Sequence, residues 1–330
     1  MKTKRKLTLH RAAAPTSICA GLCLAGGTLS SMAQLTPEQA EVARTFFANR
    51  AEMALILAGS DSIGSGNFTV TPSRGDDLDF SLSKFGGSGT IGDPRPIGNS
   101  GVSWSPYVKG VFGYASGDNR ITFGALDGNA LEESTLALSL GGGAVFDIGN
   151  FSITPSIAAI YGHYETEFDD NNAAGVAAKP VLDKIKLDSI GTASGLSLGY
   201  KIPAGDIMVN LLSSYTLYAT SDMSDDGDSR GIKANGTTHV WENKVDVDVP
   251  LNWELWNSRM HTGGFISHTA LFGDMADDAN VDNFFTIHPR LVADVWGKMW
   301  KVSRIGLGAS YYVGDNLTGW DFGIDVNFRF

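Results

Sequence analysis

The stretch Thr318–Phe330 reads T-G-W-D-F-G-I-D-V-N-F-R-F. Its even positions are Trp320, Phe322, Ile324, Val326, Phe328 and Phe330; its odd positions are Asp321, Gly323, Asp325, Asn327 and Arg329. A period of two places each set on its own face of a β-strand. One face is wholly apolar, the other carries formal charge. In a soluble sandwich the charged face meets water; in an outer-membrane barrel the apolar face meets lipid and the charged face a polar lumen.

The rest of the chain decides between them. We read strands at Asn67–Thr71, Asp77–Lys84, Val102–Ala115, Glu133–Ile148, Asn150–Thr166, Lys186–Ile202, Asp206–Thr220, Thr237–Leu255, Met260–Phe272, Asn283–Trp296, Lys301–Val313 and Thr318–Phe330. Most run about 13–17 residues, far beyond the roughly 5–6 usual in soluble proteins and ample for a membrane strand. Connections alternate between short turns (Gly149, Pro203-Ala204-Gly205, Asn257-Ser258, Gly297-Lys298) and long acidic ones (Asp169–Asp183, Ser221–Gly236, Gly273–Asp282). Short periplasmic turns and long outer loops characterise membrane barrels. The expected fold is therefore an all-β transmembrane barrel of about twelve antiparallel strands. An even count brings both ends of the barrel to the periplasmic side, where the signal-bearing terminus is also expected. Gly86-Gly-Ser-Gly89 reads as a flexible turn, and Pro106, Pro155 and Pro289 as bulges or interface positions within strands.

The chain opens Met1-Lys-Thr-Lys-Arg-Lys and runs through an apolar stretch to Ser31-Met32-Ala33, the pattern of a cleaved signal peptide. Both cysteines, Cys19 and Cys23, lie inside it. Of 25 basic residues five leave with it, and 20 basic against 36 acidic residues make a net charge of −16. So acidic an exported chain is ill suited to nucleic acid. The expected divisions are 1–33 signal peptide, 34–60 helix and 61–330 barrel, in the bacterial outer membrane.

Thr36-Pro37-Glu38-Gln39 is a helix start with a capping box, and Gly59-Ser60-Asp61 a stop. Val42, Phe46, Met53, Ile56 and Leu57 form an apolar stripe, Ala40, Ala43, Ala51 and Ala54 a small-residue face, and Glu41, Arg44 and Glu52 a charged one. At 1.5 Å per residue the helix is roughly 33 Å long. Charges at Glu38, Glu41, Arg44, Arg50 and Glu52 make lipid exposure costly, so it needs a partly polar enclosure. Twelve strands close into a cylinder roughly 24 Å across, leaving about 14 Å between inward side chains. A helix about 10–12 Å wide fills that gap. The expectation is a helix plugging the lumen, with Arg44 and Arg50 facing Asp246, Asp248, Asp294, Asp321 and Asp325, and Glu41 and Glu52 facing Arg290 and Arg329.

Helix Pro37–Ala58, the strand count and the end D-F-G-I-D-V-N-F-R-F together resemble the translocator barrel of autotransporters. The resemblance implies a pore-threading helix and an assembly signal at Asp321, Gly323, Val326, Phe328 and Phe330, read by the outer-membrane barrel assembly machinery. Autotransporters carry a long passenger before that helix; here only a residue or two separates Ala33 from Thr36. The chain thus resembles a solitary autotransporter-like barrel with a structural or surface-binding role, lying among outer-membrane lipid and lipopolysaccharide.

Chemistry is sparse in the sequence. His163, His239, His261, His268 and His288 are scattered without metal-ligand spacing, and no Gly-x-Ser-x-Gly elbow is present. We expect no enzyme activity, no cofactor and no metal. The acidic runs Asp222–Asp228, Asp169-Asp170 and Asp277-Asp278 lack the order of a calcium loop. Two alternatives stand: a gated pore opened by helix displacement, and a barrel-borne hydrolase, for which His288 with Asp294 is the nearest suggestion.

Overall fold

The computed structural model describes residues 37–59, 65–71, 78–120, 127–229, 232–295 and 302–329. Helix α1 spans Pro37–Gly59. Strands follow at β1 (Gly66–Val70), β2 (Leu78–Thr90), β3 (Arg95–Pro96), β4 (Val102–Arg120), β5 (Ala130–Ile148), β6 (Phe151–Asp169), β7 (Lys186–Ala204) and β8 (Ile207–Asp222). Then come β9 (Gly236–Leu255), β10 (Ser258–Gly273), β11 (Asn283–Asp294), β12 (Val302–Gly314) and β13 (Leu317–Arg329). The long connections hold α2 (Ala173–Leu182), α3 (Asp226–Ser229) and α4 (Asp274–Ala279).

From β4 to β13 each strand pairs with its chain neighbour, antiparallel throughout. β2 lies against β4, and β1 joins β2 to β13 with Gly66 opposite Asp321 and Val70 opposite Leu317. That last pairing closes the ring. The two-residue β3 attaches to β4 alone, so twelve strands form the wall.

Alternation sorts the side chains as the period of two requires. On β13 Trp320, Phe322 and Ile324 are 49%, 70% and 68% exposed, whereas Asp321 between them is 3% exposed. On β5 Leu136, Leu138 and Leu140 point out, while Thr135, Ala137 and Ser139 are buried inside. Exposed apolar side chains recur on β4, β7, β8, β9, β11 and β12 as well. A soluble protein does not present such a band to water; a lipid-facing wall must.

Two expectations need correction. Gly86–Gly89 belongs to β2, with Gly86 opposite Val111 and Gly89 opposite Val108. A Cβ on Gly86 would meet the Gly110 carbonyl oxygen at 2.9 Å, so its glycine character reflects close strand approach, not a turn. At Pro155 and Pro289 the ladder lapses without a bulge: β5–β6 pairing resumes in the same register past Thr154-Pro155, and β11–β12 past His288-Pro289. Each missing proline donor costs one lapse, not a register shift.

The direction of α1 follows from its contacts. Phe47 is buried in a cluster with Leu131, Phe168, Ile185 and Ile232, which flank the long connections. Further along the helix, the Leu57 carbonyl accepts a hydrogen bond from Lys84 Nζ in mid-β2. The N-terminal part of α1 thus points to the long-connection end, and Gly59 lies about half-way down the lumen. The side expected for the signal-bearing terminus concerns residues 1–36, which lie outside the described residues.

The occupied lumen as candidate functional site

Ala51, Glu52 and Met53 are buried, as is every residue from Leu55 to Gly59, with Ala54 half-buried. Those positions sample every direction around the helix axis, so the last turns of α1 are enclosed on all sides. Three wall glycines make the room. A Cβ on Gly113 would overlap the Ala58 carbonyl and come within 2.9 Å of its Cα; one on Gly162 would lie 3.1 Å from Leu55 Cγ, overlapping the Cδ1 methyl. One on Gly236 would overlap the Glu52 carboxylate. Between Arg50, Met53 and Leu57 on one side and Ala115, Glu133 and Thr135 on the other, a gap of about 40 Å³ remains. At roughly 10–15 Å³ of such volume per molecule, it holds a few waters; a larger cavity of about 760 Å³, lined by Asp79, Asp118, Glu132, Glu133, Glu165 and Glu167 among others, adjoins it through Phe80, Ser116, Gly117 and Glu133.

Polar contacts fix the helix at two heights. Near the outer end the Arg50 guanidinium pairs with the Glu133 carboxylate. Glu133 also accepts from the Tyr164 hydroxyl at 2.5 Å and from Asn119 Nδ2 at 3.0 Å. This carboxylate is surrounded by donors, which a charge shielded from water requires. Lower down, Lys84 Nζ donates to the Leu57 carbonyl at 2.9 Å, a cation at a helix C-terminus where orphan carbonyls and the dipole both favour it. Glu52, 4% exposed, lies near Thr238, whose hydroxyl also accepts from the Met275 backbone N–H of α4 at 3.2 Å.

The wall acids and bases named in the sequence mostly find one another instead. Arg290 pairs with Asp246 at 2.8 Å, and Arg304 bridges Asp248 and Asp294 at 2.9 Å each. His261 sits between the same carboxylates, Nε2 3.0 Å from Asp294 and Nδ1 3.3 Å from Asp248. Asp321 accepts from the Ser310 N–H at 3.1 Å and the Tyr312 hydroxyl at 2.5 Å. The expected pairing of Arg50 with Asp246, Asp248, Asp294 or Asp321 is thus replaced by Glu133, and Arg290 meets a wall aspartate, not a helix glutamate. The reason is height: α1 ends mid-lumen, and the charges of β9, β11 and β12 are satisfied by one another along that arc of the wall. The side chains of Glu41, Arg44, Asp325, Val326, Phe328 and Arg329, and all of Phe330, lie outside the described residues.

Sequence reasoning missed Glu133, Tyr164, Lys84 and the three glycines. Glu133 shares the inward parity of Thr135 and Ser139, a signal that was available; the glycines give none until the helix is placed. His288, 6% exposed, contacts the Ser310 hydroxyl through Nδ1 at 2.8 Å and stacks on Phe265. Among the described residues, no three His, Cys, Asp or Glu side chains are grouped to hold a metal ion.

The ring of twelve strands with an N-terminal helix inside has a counterpart in a sequence family. Residues 96–327 match the solitary outer membrane autotransporter beta-barrel domain. The chain belongs to that family. Among solved structures, this solitary autotransporter barrel is similar in fold to the transport unit of the autotransporter AIDA-I from Escherichia coli. That match has a TM-score of 0.56 and 10% identity, covering 90% of this chain and 100% of that one. The β domain of the Bordetella autotransporter BrkA matches at TM-score 0.47 and 16% identity over 81% of this chain and 98% of that one. The translocator domain of NalP from Neisseria meningitidis matches at 0.48 and 12% over 81% and 86%. No curated protein matches the sequence.

Proposed function

We propose that this chain is an outer-membrane autotransporter-type barrel whose lumen is closed by its own helix, with a structural or surface-binding role at the cell surface. The observation that carries it is the all-round burial of the lower turns of α1 against glycine slots in the wall. In this reading the N-terminal part of α1, at the long-connection end, faces the cell surface, and the signal peptide is removed at Ala33. Lipopolysaccharide surrounds the outer rim in this reading, and the β13 pattern through Phe330 directs assembly by the barrel assembly machinery. It assigns no catalysis to the chain. Planar-bilayer conductance of the refolded protein with and without residues 37–59 tests it. The full chain should be closed and the shortened one open; an open full-length channel refutes it.

A second reading, a pore gated by helix displacement, is favoured by one feature. The helix is held partly by the ion pair of Arg50 with Glu133, and removing one partner of such a shielded pair leaves the other charge uncompensated. Openings of the full chain that become frequent in Glu133→Gln would support it.

A further inference from the structure

Across three neighbouring strands the lipid-facing wall is interrupted by a polar row. Register places Ser213 of β8 opposite Asn243 of β9, and Asn243 opposite His268 of β10. All three share the outward parity of Tyr215, Trp241 and Ile266 on the same strands. With Leu211, Val245 and Phe285, those exposed apolar side chains frame the row above, below and on its β11 side. Ser213 lies six residues into β8 from its short-turn end. That is about 16 Å along the membrane normal, at 3.4 Å per residue and a tilt of about 40°, within an apolar band about 25 Å tall.

Polar groups at that depth need partners, because no water is there to supply them. Half of the row is satisfied internally. The Trp241 indole N–H donates to Ser213 Oγ at 3.1 Å, and that hydroxyl donates to Asn243 Oδ1 at 2.9 Å. The chain of hydrogen bonds stops there. The amide N–H groups of Asn243 have no partner among the described residues, and the His268 ring leans on Phe285 instead, centroids 4.8 Å apart. One strand spacing apart, the wall thus holds out a free amide donor and a free imidazole, which as the neutral ring carries one acceptor and one donor.

We propose that this row is the interface of a homodimer, two barrels meeting wall to wall about a two-fold axis that runs along the membrane normal between β9 and β10. Such an axis keeps every residue at its own height and lays β9 of one copy against β10 of the other. Asn243 then meets the partner's His268, and His268 the partner's Asn243. Register partners on adjacent strands differ in height by about 3 Å, from a 4.8 Å spacing at that tilt, within reach of both side chains. A two-fold interface must be self-complementary, and this row is: amide donor against imidazole acceptor, twice. A lipid tail offers neither group, so the occupant is a protein, and the reciprocal donor and acceptor identify it as a second copy. Gly264 and Ala270, facing out on β10 below and above the histidine, permit the close approach on which association in lipid depends.

The test uses the full chain with Cys19 and Cys23 replaced by serine, reconstituted at low density in phosphatidylethanolamine and phosphatidylglycerol vesicles. Photobleaching steps of a dye at Asp206→Cys count the copies, and the parent should bleach in two. Asn243→Leu with His268→Leu should weaken dimerisation about tenfold and keep heat-modifiable migration, since leucine suits a lipid-facing wall. Without the dye site, Ile266→Cys should be bridged to a second copy by mild oxidant; Leu140→Cys, far round the ring, should not. A parent that stays monomeric, or a dimer that the two leucines leave unchanged, overturns the proposal. Monomers in which added lipopolysaccharide shields Ile266→Cys from a lipid-soluble thiol reagent overturn it too, the occupant then being a lipid.

Discussion

Replacing Gly113 by valine puts the first atom of the side chain where the Ala58 backbone already lies, 2.9 Å from its Cα, against 3.4 Å for an ordinary contact. The neighbour is helix backbone, which cannot rotate away, so α1 must move by about 1 Å or leave. Overpacking of this kind costs about 1–3 kcal/mol, roughly a 5- to 150-fold loss in occupancy of the docked state. Gly162→Val adds a second clash, against Leu55. The double variant should show frequent stepwise openings in a planar bilayer, where the parent is silent. Gly227→Ala is the control, because a Cβ there meets only Asp225 Oδ1, at 3.8 Å. A double variant that folds, shown by intact heat-modifiable migration, and stays as closed as the parent would refute the slot argument.

Further expectations rest on single contacts. Glu133→Ala leaves the Arg50 guanidinium without its carboxylate and should loosen the helix by about 3–5 kcal/mol, read as faster protease cleavage within α1; Arg50→Met with Glu133→Leu should restore most of the protection. Asp321→Ala removes the acceptor of the Tyr312 hydroxyl and of the Ser310 N–H, about 1–3 kcal/mol in all, seen as a lower unfolding midpoint in urea. Lys179 donates to Asp170 at 2.6 Å at the foot of α2, and that hydrogen bond holds the carboxyl below its ordinary range and the ammonium above its own. The pair's contribution is present between roughly pH 4 and pH 10, is lost in acid as Asp170 protonates and in base as Lys179 loses its proton. Because both groups are exposed, Lys179→Ala should leave the melting temperature within error. A serine-reactive phosphonate should not label Ser310, despite its His288 contact; labelling that Ser310→Ala abolishes would make the chain an enzyme.

The barrel was legible because lipid imposes one rule on every strand. Leu136, Leu138 and Leu140 against Thr135 and Ser139 could be read without neighbours, and the turns at Gly149 and Gly205 announce themselves by residue type. The helix was legible from its Thr-Pro start and its mixture of alanines with charges. Its partners were not. Whether Arg50 meets Glu133 or Asp246 depends on how deep α1 sits, and depth comes from Gly113, Gly162 and Gly236, whose role is to be small where a helix passes. The long acidic connections hid their own structure: Asn172 caps α2 by accepting from the Gly175 N–H at 2.8 Å, although Pro180, a residue type that disfavours helix interiors, lies within it. Inward parity also placed Asp246 and Arg290 correctly on the lumen side, but facing strands compete with a plug for the same charges.

Cross-linking in the membrane addresses the central claim most directly. With Cys19 and Cys23 removed, Leu55→Cys and Gly162→Cys should form a disulfide in isolated outer membranes without added oxidant, and the bridged protein should not conduct. Leu55→Cys with Leu140→Cys, a lipid-facing position, should not bridge. Failure of the first pair in protein that conducts as an open barrel would place α1 outside the lumen and contradict the account.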